Sequence, residues 1–247
     1  LIDEEIEAVP VDMPDNDVAQ LFERYDWISA PVIDAEGHLL GRITIDDVID
    51  IIREDAEHSM MSMAGLDDEA DTFAPVLKST SQRSIWLGVN LITALFAVAV
   101  SSQFEELLSI LPILAILNSL VPSMGGVAGN QTLTLVIRGI ALGHVGDSNA
   151  RSLLYKELAV GFLNGLIWAL LIASFVALWK QDLMLGGVIA FAMLMNLTVA
   201  GLSGVVIPLL LKKLSIDPAL AGSVLLTTIT DVVGFFAFLG LATLFYG

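Results

Sequence analysis

The chain has 247 residues, of which 55% are hydrophobic, and it carries a net charge of −17 and no cysteine. This composition excludes disulfides, thiolate metal sites and cysteine catalysis, and it is too apolar for an ordinary soluble domain. The charge is unevenly distributed, because residues 1–83 hold 21 of the 28 Asp and Glu but 5 of the 11 Lys and Arg. We therefore expect an acidic soluble module, which favours cations over nucleic acid as ligands, followed by a membrane module.

The acidic module begins with short helices and strands in alternation. Residues 17–25 have the spacing of a short amphipathic helix. Residues 30–34 and 39–43 predict two strands joined by a glycine-containing turn. Thr44 is expected to cap a helix that runs from residue 46 to at least residue 56, with acidic residues in its first turn. The order of these elements predicts a small α/β domain.

Four acidic side chains lie along one face of the helix that follows Thr44. Asp46, Asp50, Glu54 and Glu57 are spaced by four, four and three residues, which places all four on one stripe. A solvated helix face is one explanation. Like charges at this spacing destabilise a helix, and a divalent cation would relieve the repulsion because hard cations prefer carboxylate oxygens. We interpret the stripe as a cation sensor.

A connector follows the acidic module. We expect a further helix at the membrane surface within residues 59–83, where methionines would make apolar contacts. This prediction divides the chain into a regulatory region at residues 1–58, a connecting helix at residues 59–83 and a membrane domain at residues 84–247.

The membrane domain contains apolar stretches long enough to cross a bilayer, which takes about 20 residues. Five spans are predicted, at residues 84–104, 107–137, 158–179, 183–211 and 219–246. The Lys and Arg residues near the ends of these spans are unevenly distributed between the two sides of the membrane. Only Lys180 lies on one side, and seven lie on the other: Lys78, Arg83, Arg138, Arg151, Lys156, Lys212 and Lys213. Positive charges favour the cytoplasmic side, so we expect a cytoplasmic N-terminus and a C-terminus outside.

The second span contains several residues that disfavour a helix. Pro122 is followed by Gly125, Gly126 and Gly129, and then by Asn130 and Gln131. Proline removes a backbone donor and glycine makes unwinding cheap, so we expect a broken helix whose freed carbonyls line a pore. The alternative is that the glycines serve close packing between helices.

Asp231 is the only formally charged residue after Pro218, and it lies near the middle of the fifth span. A carboxylate at this depth costs about 2.5 to 3.5 kcal/mol and marks an ion, proton or substrate path. The alternative is a carboxyl group that is protonated or bonded to a neighbouring helix for packing. Thr227 and Gly234 share its helix face, so a hydroxyl and a gap in side-chain bulk accompany the carboxylate.

The acidic module resembles a CBS domain, in residues 31–37 and 41–47, and the membrane motifs resemble the MgtE family of magnesium channels. These motifs are residues 65–70, 125–131, 212–218 and 227–234, so that the resemblance covers nearly the whole chain. It implies a multidomain membrane protein in which a truncated α/β CBS domain precedes an all-α bundle of five transmembrane helices. It also implies that an acidic N-terminal domain and a first CBS copy are missing, and we expect the chain to be part of a longer protein.

The resemblance further implies a homodimer in the inner (plasma) membrane, with a pore built by the second and fifth spans of both subunits. Hydrated Mg²⁺ would bind at Asp231, assisted by Asn130 and by backbone carbonyls, and we assign Thr227 and Gly126 to the same site. In CBS domains a Thr-x-x-Asp motif, here Thr44 and Asp47, often contacts an adenine nucleotide such as ATP, and these domains work as pairs.

These features predict a channel that moves Mg²⁺ into the cytoplasm and closes when cytosolic Mg²⁺ binds the acidic stripe. The sequence leaves Mn²⁺, Co²⁺ and Ca²⁺ open as permeant ions. One rival is a proton-coupled divalent-cation carrier that uses Asp231, and another is a membrane-anchored nucleotide sensor. An intramembrane metalloprotease requires a His-Glu-x-x-His helix, and an aspartyl protease requires aspartates in two spans. Neither pattern is present in the sequence, so we do not expect an enzyme.

Overall fold

The structure is a computed structural model, and it describes residues 8–66, 71–146 and 148–247. The chain forms two compact units, of which the first ends at Ser62 and the second begins at Met63.

The first unit is a small α/β domain, as the sequence predicts. Its elements are β1 (Val9–Pro10), α1 (Asp15–Tyr25), β2 (Ser29–Ile33), β3 (Leu39–Thr44) and α2 (Ile45–Met63). The sheet has the order β1-β2-β3, with β1 parallel to β2 and β2 antiparallel to β3. One face of each helix closes a small core with the sheet, formed by Val9, Val18, Ala19, Phe22, Ala30 and Val48.

The start of α2 is held by a reciprocal contact between Thr44 and Asp47. The backbone N–H of Thr44 donates to Oδ2 of Asp47 at 3.0 Å, and its hydroxyl donates to the same oxygen at 2.8 Å. These two bonds, the hydroxyl first, lower the pKa of Asp47 below its ordinary value. Asp47 therefore satisfies the backbone donor that precedes the helix, as the acidic residue of a capping box does.

The predicted connecting helix is not a separate element. The helix after Thr44 continues to Met63, and the next helix begins at Val76. Among the described residues between them, 64–66 and 71–75, no helix is present. The predicted connector thus contributes the last turns of α2 and the first turns of the helix that begins at Val76. Good helix formers lie on both sides of the expected boundaries, so each helix is longer than predicted. Residues 67–70 of that connector lie outside the described residues.

Helices are the regular secondary structure of the second unit among its described residues. Its helices are α3 (Val76–Ser102), α4 (Glu105–Ile110), α5 (Pro112–Leu117), α6 (Leu120–Ala141), α7 (Ala150–Lys180), α8 (Leu183–Lys213) and α9 (Pro218–Tyr246). Within the described part of the chain, five segments are long and apolar enough to cross a membrane: α3, α5 with α6, α7, α8 and α9. This number agrees with the sequence prediction, and the observed helices are mostly longer than the predicted spans.

The central helix of this unit is α8, which packs against α6, α7 and α9. Glycines allow its backbone to approach the neighbouring helices closely. A Cβ atom added at Gly201 would lie 2.7 Å from the carbonyl oxygen of Glu157 on α7, and one added at Gly204 would lie 2.9 Å from the carbonyl oxygen of Gly129 on α6. Small residues at such contacts are the usual means of bringing membrane helices together.

The end of α9 is attached to the start of α8 by a hydrogen bond. The hydroxyl of Tyr246 donates to Oδ2 of Asp182 at 2.7 Å, while Oδ1 of Asp182 accepts from the backbone N–H of Leu185 at 3.0 Å. These bonds, the one from Tyr246 first, lower the pKa of Asp182 below its ordinary value. One carboxylate thus caps α8 and fixes the last turn of α9.

The prediction of a broken helix at residues 122–131 is wrong. α6 is continuous from Leu120 to Ala141, and the interruptions lie earlier, at Leu111 and at residues 118–119. Pro122 is the third residue of α6, where its missing N–H would have had no acceptor within the helix. The carbonyls of residues 122–131 are therefore engaged in a helix rather than freed.

Candidate cation site

A polar groove runs between α6 and α9 in the second unit. Its volume is about 920 Å³. α6 contributes Pro122, Ser123, Gly126, Val127, Asn130, Gln131, Thr134 and Leu135 to its walls, and α9 contributes Thr227 and Asp231. The groove thus brings together all four residues that the sequence assigns to the pore: Asp231, Asn130, Thr227 and Gly126.

The carboxylate of Asp231 faces this groove from α9. The residue is partly buried. In the part of the chain that the structure describes, no side chain or backbone group bonds to its oxygens. A carboxylate that packed against a neighbouring helix would have a donor there, so the arrangement favours a ligand in the groove over a purely structural role.

The opposite wall is a polar stripe on α6. Ser123, Gly126, Asn130 and Thr134 are spaced by three, four and four residues and therefore share one helix face. The amide of Asn130 is partly buried, and it offers a carbonyl oxygen, which is a hard ligand of the kind that Mg²⁺ and Ca²⁺ prefer. Gly126 adds no side chain, so the groove is open at its turn of the helix.

The threonines of α9 bond to their own helix. The hydroxyl of Thr227 donates to the carbonyl of Ser223 at 2.9 Å, and those of Thr228 and Thr230 donate to the preceding turn in the same way. This local bonding is common for threonine in helices. The oxygen of Thr227 retains a lone pair and lines the groove, whereas Thr230 is fully buried.

Gly234 does not lie in the groove. It is buried, and a Cβ atom at this position would lie 2.9 Å from Cγ of Pro122. Gly125 and Gly129 are likewise buried in contacts, with Asn196 and Leu226. For Gly125 and Gly129 the structure supports the packing alternative, and Gly234 packs in the same way although its predicted place was on the face of Asp231.

Sequence reasoning missed a buried carboxylate in α7. Glu157 is only 4% exposed, and its Oε2 accepts a hydrogen bond from the hydroxyl of Thr132 at 3.0 Å. The Lys156 ammonium lies 3.0 Å from Oε1. The predicted third span began at residue 158 and excluded Glu157, whereas the helix begins at Ala150. A single acid two turns into the helix, at the start of a long apolar run, was the signal that could have found it.

The acidic stripe on α2 is fully accessible. Asp46, Asp50, Glu54 and Glu57 are all exposed. Arg53 lies among them, with its guanidinium 3.6 Å from Asp50 and 3.8 Å from Glu57, and it offsets part of the repulsion that the spacing implies. Surface pairs of this kind contribute about 0 to 1 kcal/mol.

The stripe is not a closed metal site within one chain. Among the described residues, the group of three or more side chains close enough to hold one ion is Asp34, Glu36 and His38, at the turn between β2 and β3. The four carboxylates of α2 would therefore need further ligands to bind a cation tightly. The Thr44–Asp47 pair, which the CBS resemblance assigns to a nucleotide, is occupied by its mutual hydrogen bonds.

These observations define a multi-pass membrane protein that carries a small α/β unit and a polar groove with a lone carboxylate. A sequence model of the MgtE family, described as a divalent cation transporter, matches residues 118–241, and a CBS domain model matches residues 1–54. The chain belongs to the MgtE family.

Three curated relatives, each named a magnesium transporter MgtE, match nearly all of the chain. The protein from Enterococcus faecalis is 36% identical over 245 residues, which are 99% of this chain and 54% of the relative. The protein from Bacillus subtilis is 34% identical over 93% of this chain and 51% of its own length, and that from Thermus thermophilus is 31% identical over 96% and 53%. The chain thus spans about half the length of these relatives.

Proposed function

We propose that the protein moves Mg²⁺ across the membrane along the groove between α6 and α9, with Asp231 as the residue that attracts the ion. The observation that carries this proposal is the Asp231 carboxylate, which lies in a membrane-length helix, faces a polar groove and has no protein partner among the described residues. The names of the three relatives support Mg²⁺ as the ion.

The chemistry of the groove suits a hydrated ion. Mg²⁺ loses its water reluctantly and is usually held by one or two carboxylates while it keeps several waters. One carboxylate, the Asn130 amide and the Thr227 hydroxyl provide outer contacts to such a shell, and the helical carbonyl of Gly126 is a weaker contact than a freed one. A second copy of the chain, facing the open side of the groove, would add a second carboxylate and enclose the path, so we propose a homodimer.

Direction and regulation follow from the distribution of charge. Seven of the eight Lys and Arg that flank the spans lie on one side, which favours a cytoplasmic first unit and inward movement of Mg²⁺. The stripe of Asp46, Asp50, Glu54 and Glu57 is exposed, and it would bind a cation together with carboxylates from another part of the assembly. Mg²⁺ bound there would hold the groove closed, and its loss would allow repulsion to open it.

Removing three charges from the stripe should weaken this regulation. We expect the combined variant Asp50→Asn, Glu54→Gln and Glu57→Gln to conduct normally at low cytosolic Mg²⁺ and to require more Mg²⁺ for inhibition, because fewer carboxylates compete for the ion. The measurement is the cytosolic Mg²⁺ concentration that halves the current in inside-out patches of the full-length protein.

A variant of equal charge change serves as the control for this experiment. Asp15, Asp17 and Glu23 are exposed acids on α1, and their neutralisation leaves the stripe intact. The control should keep the inhibition of the unmodified protein. An unshifted inhibition curve in the stripe variant, or an equal shift in both variants, would count against the stripe as the sensor.

A proton-coupled carrier is the second candidate, and the same lone carboxylate favours it, because Asp231 could exchange a proton for the ion. Recordings with Mg²⁺ as the permeant cation separate the two. A channel predicts a reversal potential that follows the Mg²⁺ gradient and ignores a pH gradient, whereas a carrier predicts a dependence on both. Absence of any Mg²⁺ flux in the full-length protein would refute both forms of the proposal.

A further inference from the structure

Asn196 is a polar side chain in the most buried part of the second unit. It lies on α8 and is 0% exposed. Its Nδ2 donates to the carbonyl oxygen of Val121, in the first turn of α6, at 2.8 Å. Its Oδ1 is buried and accepts no hydrogen bond from the described residues. Burying an amide with one unsatisfied oxygen costs free energy, which an apolar residue of similar size would avoid.

The amide of Asn196 is enclosed by two of the glycines that the sequence analysis singled out. A Cβ atom at Gly125 on α6 would lie 2.8 Å from Cγ of Asn196, and one at Gly234 on α9 would lie 3.1 Å from its Nδ2. The same Cβ at Gly234 would lie 3.0 Å from the backbone nitrogen of Pro122. Asn196 therefore occupies the point where α6, α8 and α9 meet without room for another methyl group.

This junction lies directly behind the cation groove. Gly125 precedes Gly126, which lines the groove, and Gly234 is one helical turn from Asp231. The same turns of α6 and α9 thus present one face to Asn196 and another to the groove. Because protein interiors do not deform continuously, a change at the junction is transmitted to the groove walls.

We propose that Asn196 is a positioning residue that fixes the separation and rotation of α6 and α9, and through them the geometry of the groove around Asp231. The hydrogen bond to Val121 sets the register of α6 against α8, and the contact with Gly234 sets how closely α9 approaches. This proposal rests on the proposed function for its transport readout, but its structural claim can be measured without transport.

The first test compares two substitutions on α8 in the full-length protein. Asn196→Leu keeps a branched side chain of similar length and removes the donor. Thr198→Val is the control, because among the described residues the hydroxyl of Thr198 bonds to the carbonyl of Leu194 in its own helix, at 2.7 Å, and to no other group. We expect Asn196→Leu to lower the permeability ratio of Mg²⁺ to Ca²⁺ about tenfold, which corresponds to a change of about 1.4 kcal/mol in relative affinity. Thr198→Val should leave the ratio unchanged.

A second variant tests whether Asn196 positions the helices or only fills space between them. It also replaces the first test if Asn196→Leu does not fold. Asn196→Ala combined with Gly125→Ala places a methyl group where the amide was removed, so the double variant should restore the packing but not the hydrogen bond. We expect it to fold and to keep the reduced selectivity. Full recovery of the Mg²⁺ to Ca²⁺ ratio would mean that Asn196 only fills space, and would overturn the proposal.

The third measurement does not depend on transport. The chain has no cysteine, so spin labels can be placed at Leu120→Cys on α6 and Phe236→Cys on α9 without removing native thiols. Labelled protein diluted with unlabelled protein reports the distance between the two helices within one chain. We expect this distance to shift or broaden in the Asn196 variants and to stay constant in Thr198→Val. An unchanged distance would overturn the proposal even if the protein carried no Mg²⁺.

Discussion

Replacing Asp231 with asparagine is expected to abolish Mg²⁺ transport while the protein continues to fold. Asparagine has nearly the same size and removes only the charge. A divalent ion about 5 Å from a carboxylate, at an effective dielectric constant of about 40, is stabilised by about 3 kcal/mol. Loss of this attraction lowers occupancy of the groove about a hundredfold. The effect would be larger in a dimer, because both subunits lose a charge on the same path.

The measurement is Mg²⁺ uptake into liposomes that contain the full-length protein, together with the melting temperature in detergent. Glu106→Gln is the matched control, because Glu106 is an exposed acid of the same unit on α4. The control should retain uptake. We expect Asp231→Asn to melt at or above the temperature of the unmodified protein, since a partly buried charge in a membrane-length helix has been removed. Normal uptake by a well-folded Asp231→Asn variant would show that the ion does not depend on this groove.

We expect Gly201→Ala to destabilise the protein, because Gly201 lies where α8 packs against α7. Alanine at Gly201 would place Cβ 2.7 Å from the carbonyl oxygen of Glu157 and 3.4 Å from Cα of Gly161. These are backbone atoms that cannot rotate away, so the helices must separate. Overpacking costs about 1 to 3 kcal/mol, and displaced backbone places this site at the upper end. Alanine regains about 1 kcal/mol of helix propensity, which does not offset the loss.

Gly187 on the same helix provides the control for this prediction. A Cβ atom there would meet no atom within 4 Å, so Gly187→Ala should be neutral or stabilising by up to about 1 kcal/mol. Thermal unfolding of both variants in one detergent gives the comparison. If Gly201→Ala were as stable as Gly187→Ala, the close approach of α7 and α8 in the structure would be incorrect.

The sequence was sufficient to predict the elements whose residues carry a strong local pattern. The β2–β3 pair, the helix after Thr44 and the five spans follow from hydropathy, turn residues and spacing. Asp231 was identified because a lone charge in an apolar segment has few structural uses. Thr227 was assigned to the same site from helix periodicity, and Asn130 from the family resemblance.

The sequence predictions were wrong or incomplete where a residue's role depends on its place in the helix bundle. Pro122 is disruptive in the middle of a helix and harmless in its first turn, and local sequence did not reveal that α6 begins at Leu120. Glu157 was left outside a span because hydropathy declines at its charge, although Thr132 from another helix satisfies it.

The hydrogen bond from Tyr246 to Asp182 fixes the C-terminal end of α9 against the start of α8. Asp231 lies about 22 Å along the helix from Tyr246, at 1.5 Å of rise per residue. If α9 tilted by only about 5° about its Tyr246 end, the Asp231 carboxylate would move by about 2 Å, which is the length of one Mg²⁺–oxygen bond. A small angular change would therefore be enough to move Asp231 into or out of reach of an ion's hydration shell, and it would require the close contacts at Gly234 to repack.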